Sequence, residues 1–124
     1  MLFAFDCDGT LLTDKMDKEG QYVKGVIPTI ILDRLAQQGH RVVIVSPSPF
    51  GPEGFKVFAR NGSNDYRWEN IKDAMDYYGM DNSEVAYIDD LEANRNQLIK
   101  FGIPFVYSPE VFMMYIGNQL TLNY

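Results

Sequence analysis

Four short and almost wholly apolar runs punctuate this chain: Leu2-Phe3-Ala4-Phe5, Val42-Val43-Ile44-Val45, Val85-Ala86-Tyr87-Ile88 and Pro104-Phe105-Val106-Tyr107. A strand with one wet face alternates apolar and polar residues. A run without alternation is buried on both faces, as in the middle of a parallel sheet. Helical segments fill the intervals. Pro28 suits a first helical turn, and Ile27, Ile30, Ile31 and Leu35 form an apolar stripe that Gly39 ends. A second helix is expected over residues 68–78, closed by Gly79, and a third over residues 92–101, closed by Gly102. Ser108-Pro109-Glu110 places cap, first-turn proline and early acid in the favoured order for a last helix. Strands alternating with helices predict an α/β fold, a three-layer sandwich around a mostly parallel central sheet.

The remaining segments are polar or broken. Residues 13–25 carry Asp14, Lys15, Asp17, Lys18 and Glu19 and read as a loop or small flap. Residues 47–54 hold three prolines and two glycines, a loop composition. Residues 55–59 fit either a strand or a short helix. With 124 residues there is room for one core, so residues 1–124 are expected to form a single domain. The net charge of −6 disfavours a broad basic surface for nucleic acid, without excluding a local phosphate site. The one cysteine, Cys7, has no partner for a disulfide, and no segment approaches the length of a membrane span. A cytoplasmic protein without membrane contact is the expectation.

Three of the predicted strands end in residues able to do chemistry: Asp6 after the first, Ser46 after the second and Asp89-Asp90 after the third. In parallel sheets ligands gather at the carboxyl ends of the strands, so these positions point to one shared site. Asp6 and Asp8 are two residues apart and project to the same side, while Cys7 turns into the packing. Gly9 frees the backbone for a tight turn and Thr10 adds a hydroxyl. Two crowded carboxylates repel unless a cation or a shared proton intervenes. Such a pair suits covalent phosphate chemistry, with Asp6 as nucleophile and Asp8 as acid and base.

The run Asp6-Cys7-Asp8-Gly9-Thr10-Leu11-Leu12 resembles the first motif of the haloacid dehalogenase (HAD) superfamily of aspartyl-phosphate-forming phosphatases, and later segments follow that family's order. The resemblance implies a Rossmann-like core and a second aspartate, Asp8, that goes with phosphoryl transfer. It makes Ser46 the strand-end hydroxyl that binds a phosphoryl oxygen, with Pro47 beside it and Thr10 also on the substrate. It calls for a cation at the start of the helix before the last motif. Arg67 occupies that place, and Lys72, further into the helix, is the substitute. The segment from Val85 to Asn94 resembles the family's fourth motif, which implies Mg²⁺ held by Asp6, by the backbone carbonyl of Asp8 and by Asp89 or Asp90, with Asp90 at the usual ligand position. Hard oxygen donors suit that ion. Asn94 is placed to orient the shell.

Neither interval where relatives insert a cap has room for one, so a capless enzyme is expected. The implied substrate is a phosphorylated small molecule or the phosphorylated end of a macromolecule. Two other functions use the same residues: a phosphotransferase or mutase that passes the phosphate to another acceptor, and a metal-binding module without catalysis. His40 reads as a helix-end or surface residue. Tyr77, Tyr78, Phe112, Met113, Met114 and Tyr115 read as packing, and the aromatic share of 14% leaves room for self-association.

Overall fold

A computed structural model of the chain describes residues 1–12, 25–47, 51–60 and 66–122. It begins with β1 (Leu2–Phe5), a short β2 (Leu11–Leu12) and β3 (Ile27–Pro28), then α1 (Thr29–Gln37) and β4 (Arg41–Ser46). β5 (Lys56–Ala59), α2 (Arg67–Tyr78), β6 (Val85–Ile88), α3 (Glu92–Lys100) and β7 (Phe105–Tyr107) follow. The last described elements are α4 (Pro109–Phe112), a π-helical stretch Met113–Gly117 and α5 (Asn118–Leu122).

Five strands form one parallel sheet in the order β5-β4-β1-β6-β7. β1 lies at its centre, with Phe5 opposite Ile44 on one side and Ile88 on the other. The absence of polar alternation in β1 follows from burial on both faces, since none of its four residues is more than 6% exposed. Leu2 and Ala4 pack with Ile71, Ala74, Met75 and Leu98 of α2 and α3. Phe3, Phe5 and Cys7 pack with Ile31, Leu32 and Leu35 of α1 and with Phe112. Helices therefore cover both faces, a three-layer arrangement compatible with a Rossmann-like sandwich. Phe112 meets Phe5 edge-on with ring centroids 5.4 Å apart, and burying such a ring contributes about 1.5–3 kcal/mol.

Several local expectations change. Pro28 caps α1 instead of entering it, and Ile27 pairs with Leu11 in a two-stranded ribbon. Ile30 is exposed and Leu32 is buried in its place, so the face of α1 that packs on the core carries Ile31, Leu32 and Leu35. Residues 56–59 form a strand, with side chains half-buried or exposed along the sheet edge. Gly79, in the left-handed region at φ +66, closes α2. Ser108 Oγ accepts a bond from Val111 N, so the last helix starts where its cap predicts. It then widens into a π turn, where Gly117 makes room for the Met113 side chain. Tyr77, Met114 and Tyr115 lie in solvent rather than in the core, whereas Phe112 is fully buried. Residues 13–24, expected as a flap, and residues 48–50 of the proline-rich loop lie outside the described residues. None of the described helices is long and apolar enough to cross a membrane.

The ribbon packs closely at its base. A Cβ on Gly25 would come within 2.2 Å of the Thr10 carbonyl carbon, which is backbone and cannot swing away. Gly25→Ala is therefore expected to destabilise the protein by about 1–3 kcal/mol, measured by urea denaturation. A variant as stable as the parent would show that the ribbon is not held this tightly.

Candidate functional site

β1 marks the point where the sheet topology reverses. The chain passes from β1 through α1 to β4 on one side, then crosses back through α2 to β6 on the other. A crevice opens outside the carboxyl ends of strands at such a point. Here it is a cleft of about 300 Å³ lined by Asp6, Asp8, Arg67, Asp90, Pro47 and Leu91. Asp6 follows Leu2 and Ala4 on the face of the sheet covered by α2 and α3, and Asp89 follows Val85 and Tyr87 on the same face. The period of two in each strand thus sends both acids toward the start of α2.

Asp6 is buried, and its carboxylate is held by two side chains. Arg67 Nη2 lies 2.7 Å from Oδ1, and Thr10 Oγ1 donates to Oδ2 at 3.2 Å. Arg67 is the first residue of α2, and its Nη1 donates to the Val45 carbonyl at 2.5 Å. The guanidinium bridges the ends of β1 and β4, which a fork of planar donors can do and an ammonium cannot. Burial opposes its charge, but Tyr87, Asp6 and Asp89 around it more than offset this and hold its pKa above the ordinary value.

The two adjacent acids have different surroundings. Asp89 is fully buried; Oδ1 accepts from Leu91 N at 2.9 Å, and Oδ2 accepts from Asn94 Nδ2 at 3.0 Å and from the Tyr87 hydroxyl. Arg95 Nη1 donates to its backbone carbonyl at 2.9 Å. Burial raises the Tyr87 pKa far above its usual value, so its hydroxyl keeps the proton it donates. Asp90 is exposed and lines the cleft. It depends on Gly9: at φ +79 a Cβ there would stand 2.2 Å from Asp90 Oδ2. Gly9 thus serves the turn and also leaves space for the neighbouring carboxylate.

Oxygens of Asp6, Asp89 and Asp90 all lie within 4.8 Å of one another, a cluster of hard donors that could hold a metal ion. The titration behaviour agrees with a cluster short of positive charge. Burial pushes the Asp6 pKa up from 3.8 to about 8, with Asp89 and Asp90 adding to the rise and Arg67 opposing it. Burial and Asp89 also raise Asp90, while its hydrogen bond with Asp6 lowers it. Such a group has a definite linkage sign. Between pH 3.8 and about 8 folded Asp6 keeps a proton that the unfolded chain has lost. Its contribution to stability is therefore complete below that window and lost as pH rises through it. In EDTA the melting temperature is expected to fall as pH rises from 5 toward about 8. A divalent cation should restore it most at the alkaline end, because binding displaces the proton. Asp90→Asn should flatten the fall; an unchanged slope would remove Asp90 from the cluster.

Placement sorts the other expected site residues. Asp8 is exposed in the cleft, and Pro47 lines it. Thr10 is buried and its hydroxyl donates to the Asp6 carboxylate, which orients that group. Ser46 is buried and is not among the lining residues; by alternation it shares the α1 face with Ile44, opposite Asp6. Lys72 is not brought to the site: it is exposed on α2, with Nζ 5.7 Å from the Trp68 ring centre. His40 packs against Phe3, ring centroids 5.1 Å apart. Sequence reasoning missed Tyr87, Arg95 and Leu91. Tyr87 carried a signal, since a tyrosine two residues before a strand-end acid shares its face. The reach of Arg95 to the Asp89 carbonyl carried none.

No family model matches the chain, and no curated protein matches it.

Proposed function

We propose that the protein is a Mg²⁺-dependent phosphatase of the HAD type, hydrolysing a phosphomonoester through a phosphorylated Asp6. One observation carries the reading: Asp6, Asp8, Asp90 and Arg67 converge on one cleft at the strand ends, with Asp6 ion-paired to Arg67 at 2.7 Å. The order of motifs along the chain agrees with it. The donor set fits a hard divalent cation, because the three clustered groups are all carboxylates. Asp90, facing the cleft, and Asp6 are the residues that would hold it. Asp89, with its oxygens occupied by three donors, supports from behind. When bound, the ion neutralises the cluster and draws charge from the phosphoryl oxygens.

The chain's own residues do the rest. In the first half, a carboxylate oxygen of Asp6 attacks phosphorus, the bond from phosphorus to the alcohol oxygen breaks, and Asp8 gives that oxygen its proton. In the second half, Asp8 takes a proton from a water that attacks the same phosphorus, and Asp6 leaves as a carboxylate with release of inorganic phosphate. Arg67 balances the charge that grows on the phosphoryl oxygens. Thr10 keeps Asp6 aimed, and Asn94 and Tyr87 keep Asp89 in place.

A generic aryl phosphate should be hydrolysed in Mg²⁺, lose hydrolysis in EDTA and regain it when Mg²⁺ is returned. Ca²⁺ should substitute poorly, since its larger and looser shell misplaces the nucleophile. Undiminished turnover in EDTA would remove the metal from the reading.

A further inference from the structure

Arg95 belongs to the first half of α3, yet its guanidinium turns back past the start of that helix, where Nη1 donates to the Asp89 carbonyl at 2.9 Å. Helix N-termini favour anionic side chains and disfavour cations, so the helix dipole opposes this placement. Holding a long side chain in one geometry also costs rotamer entropy. A residue that runs against a local preference beside a candidate site marks a place where function outweighs local stability.

What the contact holds is a peptide unit. Asp89 N–H donates to the Tyr107 carbonyl at 3.2 Å, which ties the amide end of the residue to β7. The Asp89 carboxylate accepts from Leu91 N, Asn94 and Tyr87. The unit that joins Asp89 to Asp90 is planar and turns as one piece. Arg95 holds its oxygen. Asp90 grows from the other end of the same unit, and its direction matters. Its Oδ2 occupies the space that a Cβ on Gly9 would enter, 2.2 Å away, and one of its carboxylate oxygens lies within 4.8 Å of oxygens of Asp6 and Asp89. A turned peptide would swing the carboxylate out of that space.

We propose that Arg95 is a positioning residue: by holding the Asp89 carbonyl it aims the Asp90 carboxylate into the acid cluster. It supplies no ligand atom itself, since a guanidinium has no acceptor. The proposal rests on Asp90 as a holder of the cation in the phosphatase reading, and adds the residue that sets its direction.

The sign of the effect separates aim from charge. A guanidinium beside these acids repels a second cation, so deleting its charge alone would tighten cation binding. Losing the aim weakens it.

Mn²⁺ shares the oxygen-donor preference of Mg²⁺, and the free ion can be counted by its paramagnetic resonance signal without any turnover. Arg95→Met, which keeps bulk and loses both charge and donors, is expected to weaken Mn²⁺ binding roughly tenfold, the scale for partners that orient a metal ligand. Arg95→Lys, whose ammonium can still donate to the carbonyl, should return affinity to within about threefold of the parent. Asn96→Ala, at an exposed neighbour on α3, should leave it unchanged. Thermal melts in EDTA establish that each variant is folded. If Arg95→Met is not, Arg95→Gln, which deletes the charge and is too short to reach the carbonyl, is measured in its place. Hydrolysis of an aryl phosphate in Mg²⁺ is followed in parallel. Unchanged or tighter Mn²⁺ binding in the folded variant, or equal weakening in Arg95→Lys, overturns the role of Arg95, and parent turnover that needs Mg²⁺ then leaves the phosphatase reading standing. The expected binding pattern in a parent that hydrolyses nothing overturns the phosphatase reading and leaves the role of Arg95 standing. A parent that binds no Mn²⁺ overturns both the role and the cation.

Discussion

Asp6→Asn is expected to lower phosphatase turnover by roughly ten-thousand-fold or more, the scale on which a covalent mechanism fails without its nucleophile. The amide cannot attack phosphorus at a useful rate, and no other described carboxylate holds the same place. Asp8 is exposed on the turn, Asp90 is exposed at the cleft, and Asp89 is buried and held by Leu91 N, Asn94 and Tyr87. The acid-stable, base-labile phosphoenzyme should disappear with it. Asp8→Asn should differ: the phosphoenzyme still forms, and turnover falls least for substrates with good leaving groups, which need little protonation. Substantial turnover by Asp6→Asn in Mg²⁺ would rule out covalent catalysis through this residue.

Arg67→Ala is expected to cost roughly a hundredfold or more in kcat, the scale seen when one aimed electrostatic partner is removed. It should also lower stability, because Asp6 and Asp89 lose the cation packed among them and the Val45 carbonyl loses its donor. Arg67→Lys should recover part of the rate only, since one ammonium cannot span Asp6 Oδ1 and the Val45 carbonyl as the fork does. Lys72→Ala, on the outer face of α2 over Trp68, should change little. Steady-state kinetics of the three variants, paired with thermal melts, separate the effect on rate from the effect on folding. The reverse ranking of Arg67 and Lys72 would overturn the assignment.

What the sequence determined by itself rests on short-range periodicity. Unbroken apolar runs at 2–5 and 85–88 required strands buried on both faces, and a period of two placed Asp6 on one side of β1 and Cys7 on the other. Gly79 and Ser108 marked helix ends through backbone chemistry that acts within a few residues. The motif order offered Arg67 with Lys72 as its substitute, and the structure brings Arg67 to Asp6 while Lys72 stays over Trp68.

Only the tertiary structure decided which neighbour each group meets. The packing of α1 on the sheet chose its buried face, exposing Ile30 and burying Leu32. Residues 56–59, whose alternation fits a strand but whose position after Pro52 also fits a short helix, became a strand because β4 offers an edge to pair with. Asp89 and Asp90 are adjacent and chemically identical. Burial under Tyr87, Asn94 and Arg95 makes the first a fixed support, while the space left by Gly9 keeps the second at the cleft. The close approach of Gly9 to Asp90 comes from the pairing of β1 with β6, which brings together residues far apart in the chain, and residue identity and spacing alone do not encode it.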